Sequence, residues 1–153
     1  METIWHIDNL EAIGGHAVEV LGRPRVVEGP TGQALWFDGL DDGIIVPAHP
    51  LAGAATFTAE VLFRPETGGA PEQRFLHLQE ATSEDRILFE TRLPGEGVWY
   101  LDTFLQSGEA SQAQLARDHR HPLDAWYHAA LVCDGREMRH YVNGQLELAH
   151  PIA

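Results

Sequence analysis

The sequence carries one cysteine, Cys133, in 153 residues, which excludes a disulfide within the chain and a thiolate-rich metal site. That residue closes the run Ala129-Ala130-Leu131-Val132-Cys133, a setting that predicts a buried and inert thiol. Long apolar runs are also missing, and none approaches the roughly 18 residues of a membrane span. Positive charge is scarce: 10 Lys+Arg stand against 23 Asp+Glu, and the net charge of −13 removes nucleic acid and anionic membrane as favoured partners. The start, Met1-Glu2-Thr3-Ile4-Trp5-His6, lacks the basic residues and apolar stretch of a secretory signal. The expected location is cytoplasmic, unless the chain is a domain excised from an exported protein. Helix signals are thin, since Ser111 to Arg117 is helix-permissive but too short to anchor a fold. No Gly-x-Ser-x-Gly elbow, phosphate loop or His-Glu-x-x-His helix occurs, which argues against the common enzyme classes.

What the chain does have is glycine and proline spread throughout, with short β-branched and aromatic runs between them. That pattern predicts many short strands separated by turns. Ile44-Ile45-Val46 follows Asp41-Asp42-Gly43 and stops at Pro47, and Thr56 to Phe63 is closed by Arg64-Pro65. Arg74 to Gln79, Arg86 to Arg92, Val98 to Leu105 and Trp126 to Cys133 are four further strand candidates. Met138 to Val142 and Gln145 to Leu148 flank Asn143-Gly144, the signature of a hairpin with a type I′ turn. Turns recurring about every ten residues favour an antiparallel sandwich or barrel over alternating β and α units. With no linker or repeat, residues 1–153 read as one domain with an all-β fold.

Two stretches are more specific. One is Gly32 to Pro47 (GQALWFDGLDDGIIVP) followed by Phe57 to Pro65 (FTAEVLFRP); the other is Trp126 to Gly135 (WYHAALVCDG) followed by Met138 to Gly144 (MRHYVNG). In this order and separation they resemble the concanavalin A-like lectin/glucanase superfamily, most closely its laminin G-like branch. The resemblance runs from about Gly14 to Leu148. It implies a jelly-roll of two antiparallel sheets whose members bind sugars, bind proteins or hydrolyse glycans, often with calcium near the rim. Such domains usually continue past the Tyr-Val-Asn-Gly hairpin, whereas this chain stops at Pro151-Ile152-Ala153. The expectation is a sandwich lacking C-terminal strands, with an open sheet edge that invites a homodimer.

Fold does not fix function, so the residues are weighed one by one. The glucanase strand Glu-x-Asp-x-x-Glu is absent: Glu60, Glu80 and Glu90 are followed two residues on by Leu62, Thr82 and Arg92. A non-catalytic ligand-binding module is therefore expected, with carbohydrate as the favoured ligand and a protein ligand next. The competing readings are a glycan hydrolase using Glu90 and Asp102 across neighbouring strands, and a protein-interaction domain. Asp38, Asp41 and Asp42 offer hard oxygens suited to calcium, although the same acids serve turns by accepting backbone N–H groups. No cofactor is required, and calcium is the candidate.

Alternation supplies the leading site. Arg86, Leu88, Glu90 and Arg92 share one strand face; Tyr100, Asp102 and Phe104 share one in the next strand; Phe75, His77 and Gln79 share one in the strand before. If these strands are neighbours, His77, Gln79, Arg86, Glu90, Arg92, Tyr100 and Asp102 lie on one face, able to hydrogen-bond and stack on a sugar. The alternative for the same face is a solvated surface of cross-strand ion pairs. His119 and His121 read as exposed loop residues and His128 as a hydrogen-bonded structural one. Phe57, Val61, Phe63, Trp99, Trp126, Leu131 and Tyr141 read as core.

Overall fold

The computed structural model describes residues 1–152. Its ordered elements are β-strands, there is no α-helix among the described residues, and the paired strands run antiparallel. The chain divides into two compact units, Met1–Pro50 and the part from Leu51 onward.

The first unit is made of short hairpins. β1 (Ala12–Ile13) and β2 (His16–Ala17) are joined by Gly14-Gly15, with φ of +57° and +82°. Positive φ at both central positions is what a type I′ turn demands, and glycine meets it without a steric penalty. β3 (Glu19–Leu21) pairs with β6 (Gly43–Ile45), while β4 (Arg25–Gly29) pairs with β5 (Gly32–Trp36). Across the latter pair the Arg25 guanidinium sits 4.2 Å from the Trp36 ring centre. Of these strands the sequence pattern disclosed only β6, which Asp41-Asp42-Gly43 and Pro47 bracket.

The second unit is a two-sheet sandwich of the jelly-roll type. One sheet contains β8 (Glu72–Gln79), β9 (Arg86–Gly95), β10 (Val98–Ser107) and β11 (Ala110–Leu115) in the order β11-β10-β9-β8, with β12 (His121–Pro122) beside β10. The other contains β7 (Phe57–Phe63), β13 (Tyr127–Cys133), β14 (Glu137–Val142) and β15 (Gln145–Pro151) in the order β15-β14-β13-β7. Asn143 and Gly144, with φ of +49° and +77°, close the β14–β15 hairpin as the Asn-Gly pair predicts. The segment from Ser111 to Arg117, weakly helix-permissive in sequence, instead supplies β11, because six consecutive residue pairs with β10 are open to it.

The core lies between these sheets. Ile87, Phe89, Trp99, Leu101 and Leu105 come from one, and Tyr127, Ala129, Leu131, Cys133, Met138 and Val142 from the other. Cys133 is buried among them, as its sequence setting predicts. Phe57, Val61 and Phe63 pack against the same cluster. Tyr141 does not: inward-facing Met138, His140 and Val142 alternate with it and turn it to the opposite face of β14. Trp126 likewise stays half-buried outside the cluster.

One polar seam crosses this core and was not anticipated. Thr103 Oγ1 lies 2.8 Å from His140 Nδ1, His140 Nε2 lies 3.4 Å from a Glu147 carboxylate oxygen, and the other oxygen lies 2.6 Å from His121 Nε2. The residues come from β10, β14, β15 and β12, so the seam ties the two sheets together. His121 is accordingly half-buried against Trp99 at 5.1 Å between ring centres, not exposed, whereas His119 is exposed.

Candidate functional site

The register of the five-stranded sheet decides which side chains meet. Arg92 faces Tyr100 and Glu90 faces Asp102 across β9 and β10; His77 faces Leu88 and Gln79 faces Arg86 across β8 and β9. All seven residues named from alternation therefore occupy the face of this sheet turned away from the core. They form two groups separated by Leu88, which is buried.

At one end, the Arg92 guanidinium grips Asp102 through Nε at 2.9 Å and Nη2 at 2.7 Å, and reaches Glu90 at 3.5 Å and Glu72 at 2.7 Å. Arg74 Nε donates to the other Glu90 oxygen at 3.0 Å. Glu90 and Asp102 are 6% and 4% exposed, so two carboxylates sit side by side with little water to screen them. Burial pushes the Asp102 carboxyl above the usual range against the opposing hydrogen bond and charge of Arg92. On Arg92 burial acts downward, but the hydrogen bond and charge of Asp102, with Glu72 and Glu90, outweigh it and raise the guanidinium further. Tyr100 stands half-buried beside this group.

At the other end, Arg86 lies over the Phe104 ring at 5.1 Å and donates to the Glu84 carbonyl at 3.1 Å and carboxylate at 3.3 Å. His77 and Gln79 are exposed. Partial desolvation of its ring, then the nearby Arg74 charge, pull the His77 imidazole below its ordinary value, which favours the neutral form at pH 7.

Glu72 and Arg74 belong to this face but escape the alternation rule. Counting back from Gln79 and His77 puts Phe75 outward and Arg74 inward. A β-bulge between Arg74 and Leu76 reverses the parity: Phe75 packs inward on Phe63, ring centres 4.2 Å apart, and Arg74 and Glu72 turn outward. One inserted residue moves everything beyond it to the other side of the sheet. The only sequence sign was two acids and two arginines arriving at matched positions on adjacent strands.

The aspartates of the first unit do come together, with one ligand atom each within 4.8 Å of the others, on a cavity of about 400 Å³ lined also by Gly22, Arg23 and Trp36. Several of their oxygens accept backbone N–H groups. One Asp38 oxygen accepts N–H groups from Leu40, Asp41 and Asp42 at 2.8, 3.2 and 3.2 Å, and Asp42 accepts from Arg23 at 2.6 Å and Asp38 at 3.0 Å. The Leu40 N–H first, then those of Asp42 and Asp41, hold the Asp38 carboxyl below its ordinary range. Gly22, at φ +65°, is required there, since a Cβ would strike the Asp42 carboxylate. These bonds are aspartate turn chemistry, and they use one Asp38 oxygen and one lone pair on each Asp42 oxygen.

The two antiparallel sheets make the sandwich that the sequence resemblance implies. A laminin G-type family model matches residues 37–152, and the chain belongs to the concanavalin A-like lectin/glucanases superfamily. No curated protein matches in sequence. Among solved structures it is similar to domain 4 of AbnA, a GH43 extracellular arabinanase from Geobacillus stearothermophilus, in complex with arabinotriose. The TM-score is 0.61 at 17% identity, covering 90% of this chain and 67% of that one. At that identity the likeness shows the fold alone.

Proposed function

We propose that this chain is a non-catalytic glycan-binding module whose ligand seats on the outer face of the β8-β9-β10 sheet. The observation that carries the reading is the cross-strand array of Tyr100, Arg92, Glu72, Arg74 and His77, with an aromatic ring, planar guanidinium groups, a carboxylate and a neutral imidazole on one face. Sugars are held by such mixtures of stacking surface and fixed donors and acceptors. Superfamily membership and the oligosaccharide carried by the similar AbnA domain support the same reading.

A hydrolytic role is disfavoured because Glu90 and Asp102, the paired carboxylates, are both committed to arginines. Retaining chemistry needs one acid free to attack and the other free to exchange a proton.

The test is an array of neutral oligosaccharides, arabinotriose among them, probed with the wild type and Tyr100→Ala. Loss of an aromatic anchor is expected to weaken binding about tenfold or more, with the melting temperature within about 2 °C. Equal affinity in the variant, or no glycan retained by the wild type, would sink the reading. Cleavage of the oligosaccharide would move the assignment to a hydrolase.

A further inference from the structure

We infer that the glycan taken by the outer face of the β8-β9-β10 sheet is uncharged, and that uronate-bearing or sulfated chains are rejected. This rests on the glycan-binding reading above and goes further by naming the ligand's charge class.

An anionic sugar is recognised by guanidinium or ammonium groups whose charge is not already balanced by neighbouring carboxylates. Three arginines lie on this face, and each is paired with at least one carboxylate. Arg92 is shared among Asp102, Glu90 and Glu72, and Arg74 is bonded to Glu90. Arg86 is bonded to Glu84 and laid over Phe104. Against these three cations stand Glu72, Glu84, Glu90 and Asp102, so the face carries no excess positive charge. His77 adds none at neutral pH. An incoming carboxylate or sulfate would add a further negative charge beside Glu90 and Asp102, which are buried and already depend on these arginines for compensation. The whole molecule adds to the barrier, because a net charge of −13 repels an anionic polymer before contact.

A hydroxyl group meets none of these obstacles. It donates to a carboxylate and accepts from a guanidinium already held in place, without changing the charge balance, and the rigid ion-pair lattice pre-arranges both partners. Glu72 and Arg74, with side chains 55% and 50% exposed, are the members of the lattice best placed to offer such contacts.

The experiment compares matched polymers by affinity electrophoresis and calorimetry: xylan against glucuronate-bearing xylan, galactan against polygalacturonate, and dextran against dextran sulfate. Each is run at ionic strengths of about 0.01 M and about 1 M, between which the Debye length falls from about 30 Å to about 3 Å. The expected result is a preference of about tenfold or more for the neutral member of the bound pair, with affinity for it nearly independent of salt. In Glu72→Gln, which removes one of the acids holding Arg92, the neutral-to-anionic ratio falls at low salt. Tighter binding of the charged member at low salt, lost at high salt, overturns the inference while leaving the glycan-binding reading intact. Failure of every polymer, charged and neutral, removes that reading and the inference with it.

Discussion

Replacing Arg92 with alanine lowers the stability of the protein by about 3–5 kcal/mol, the usual consequence of stripping the partner from a buried charge. At this chain length that is a fall in melting temperature on the order of 10 °C. The cause is local. Asp102 loses both of its guanidinium bonds, and Glu90 keeps only Arg74. The loss depends on pH. Burial already raises the Asp102 carboxyl, so the native state holds its proton to higher pH than the unfolded chain does, and Asp102 weakens the fold as pH rises through that window. Without Arg92 the opposing attraction is gone. The deficit of the variant is therefore largest at neutral pH and shrinks as acid protonates Asp102. Glu90→Gln and Asp102→Asn added to Arg92→Ala restore much of the loss, since no buried charge is left without a partner and the released Arg74 and Glu72 are half-exposed. An unchanged melting temperature in Arg92→Ala would mean that the carboxylates are solvated and the lattice is not as described. Arg92 is thus unsuited to a binding test, in which folding must be untouched, and Tyr100 is the residue for that purpose.

Trp99→Ala is expected to cost a similar 3–5 kcal/mol for a different reason, the cavity left by a large aromatic residue. Trp99 is fully buried, with ring centres of Phe63, Tyr127 and His121 at 5.2, 5.0 and 5.1 Å. Those neighbours come from three strands in both sheets, so no single one can move in to fill the space. Trp126→Ala is the contrast: its side chain is half-buried outside the core cluster, and the loss is expected to be well below that of Trp99. Chemical denaturation of both variants checks the ranking. Equal losses would show that the sandwich core is not centred on Trp99.

Where side-chain alternation ran unbroken, the sequence disclosed the architecture. Ile87, Phe89, Trp99, Leu101 and Leu131 went inward as their spacing requires, and Arg86, Glu90, Arg92, Tyr100 and Asp102 went outward. It misled where alternation is interrupted or competes with another pattern. The bulge at Phe75 hid Glu72 and Arg74, because one extra residue inverts the count and leaves no mark in composition. Tyr141 was placed inside for its aromatic character, although Met138 and Val142 already claimed that side of β14. Glu147 sits at the irregularity in the β14–β15 register, and its entry into the core beside His140 and His121 depends on contacts between sheets that no local pattern encodes.

The claim that this sheet face holds a sugar is met most directly by an amide chemical-shift titration of the whole chain with a neutral oligosaccharide that it retains. The account predicts saturable shifts in β8, β9 and β10 at His77, Gln79, Arg92 and Tyr100. Their neighbours across the register move with them, while the Asp38–Asp42 turn is silent. Saturable shifts confined to that turn and Trp36, or to the outer face of the β15-β14-β13-β7 sheet, would contradict it.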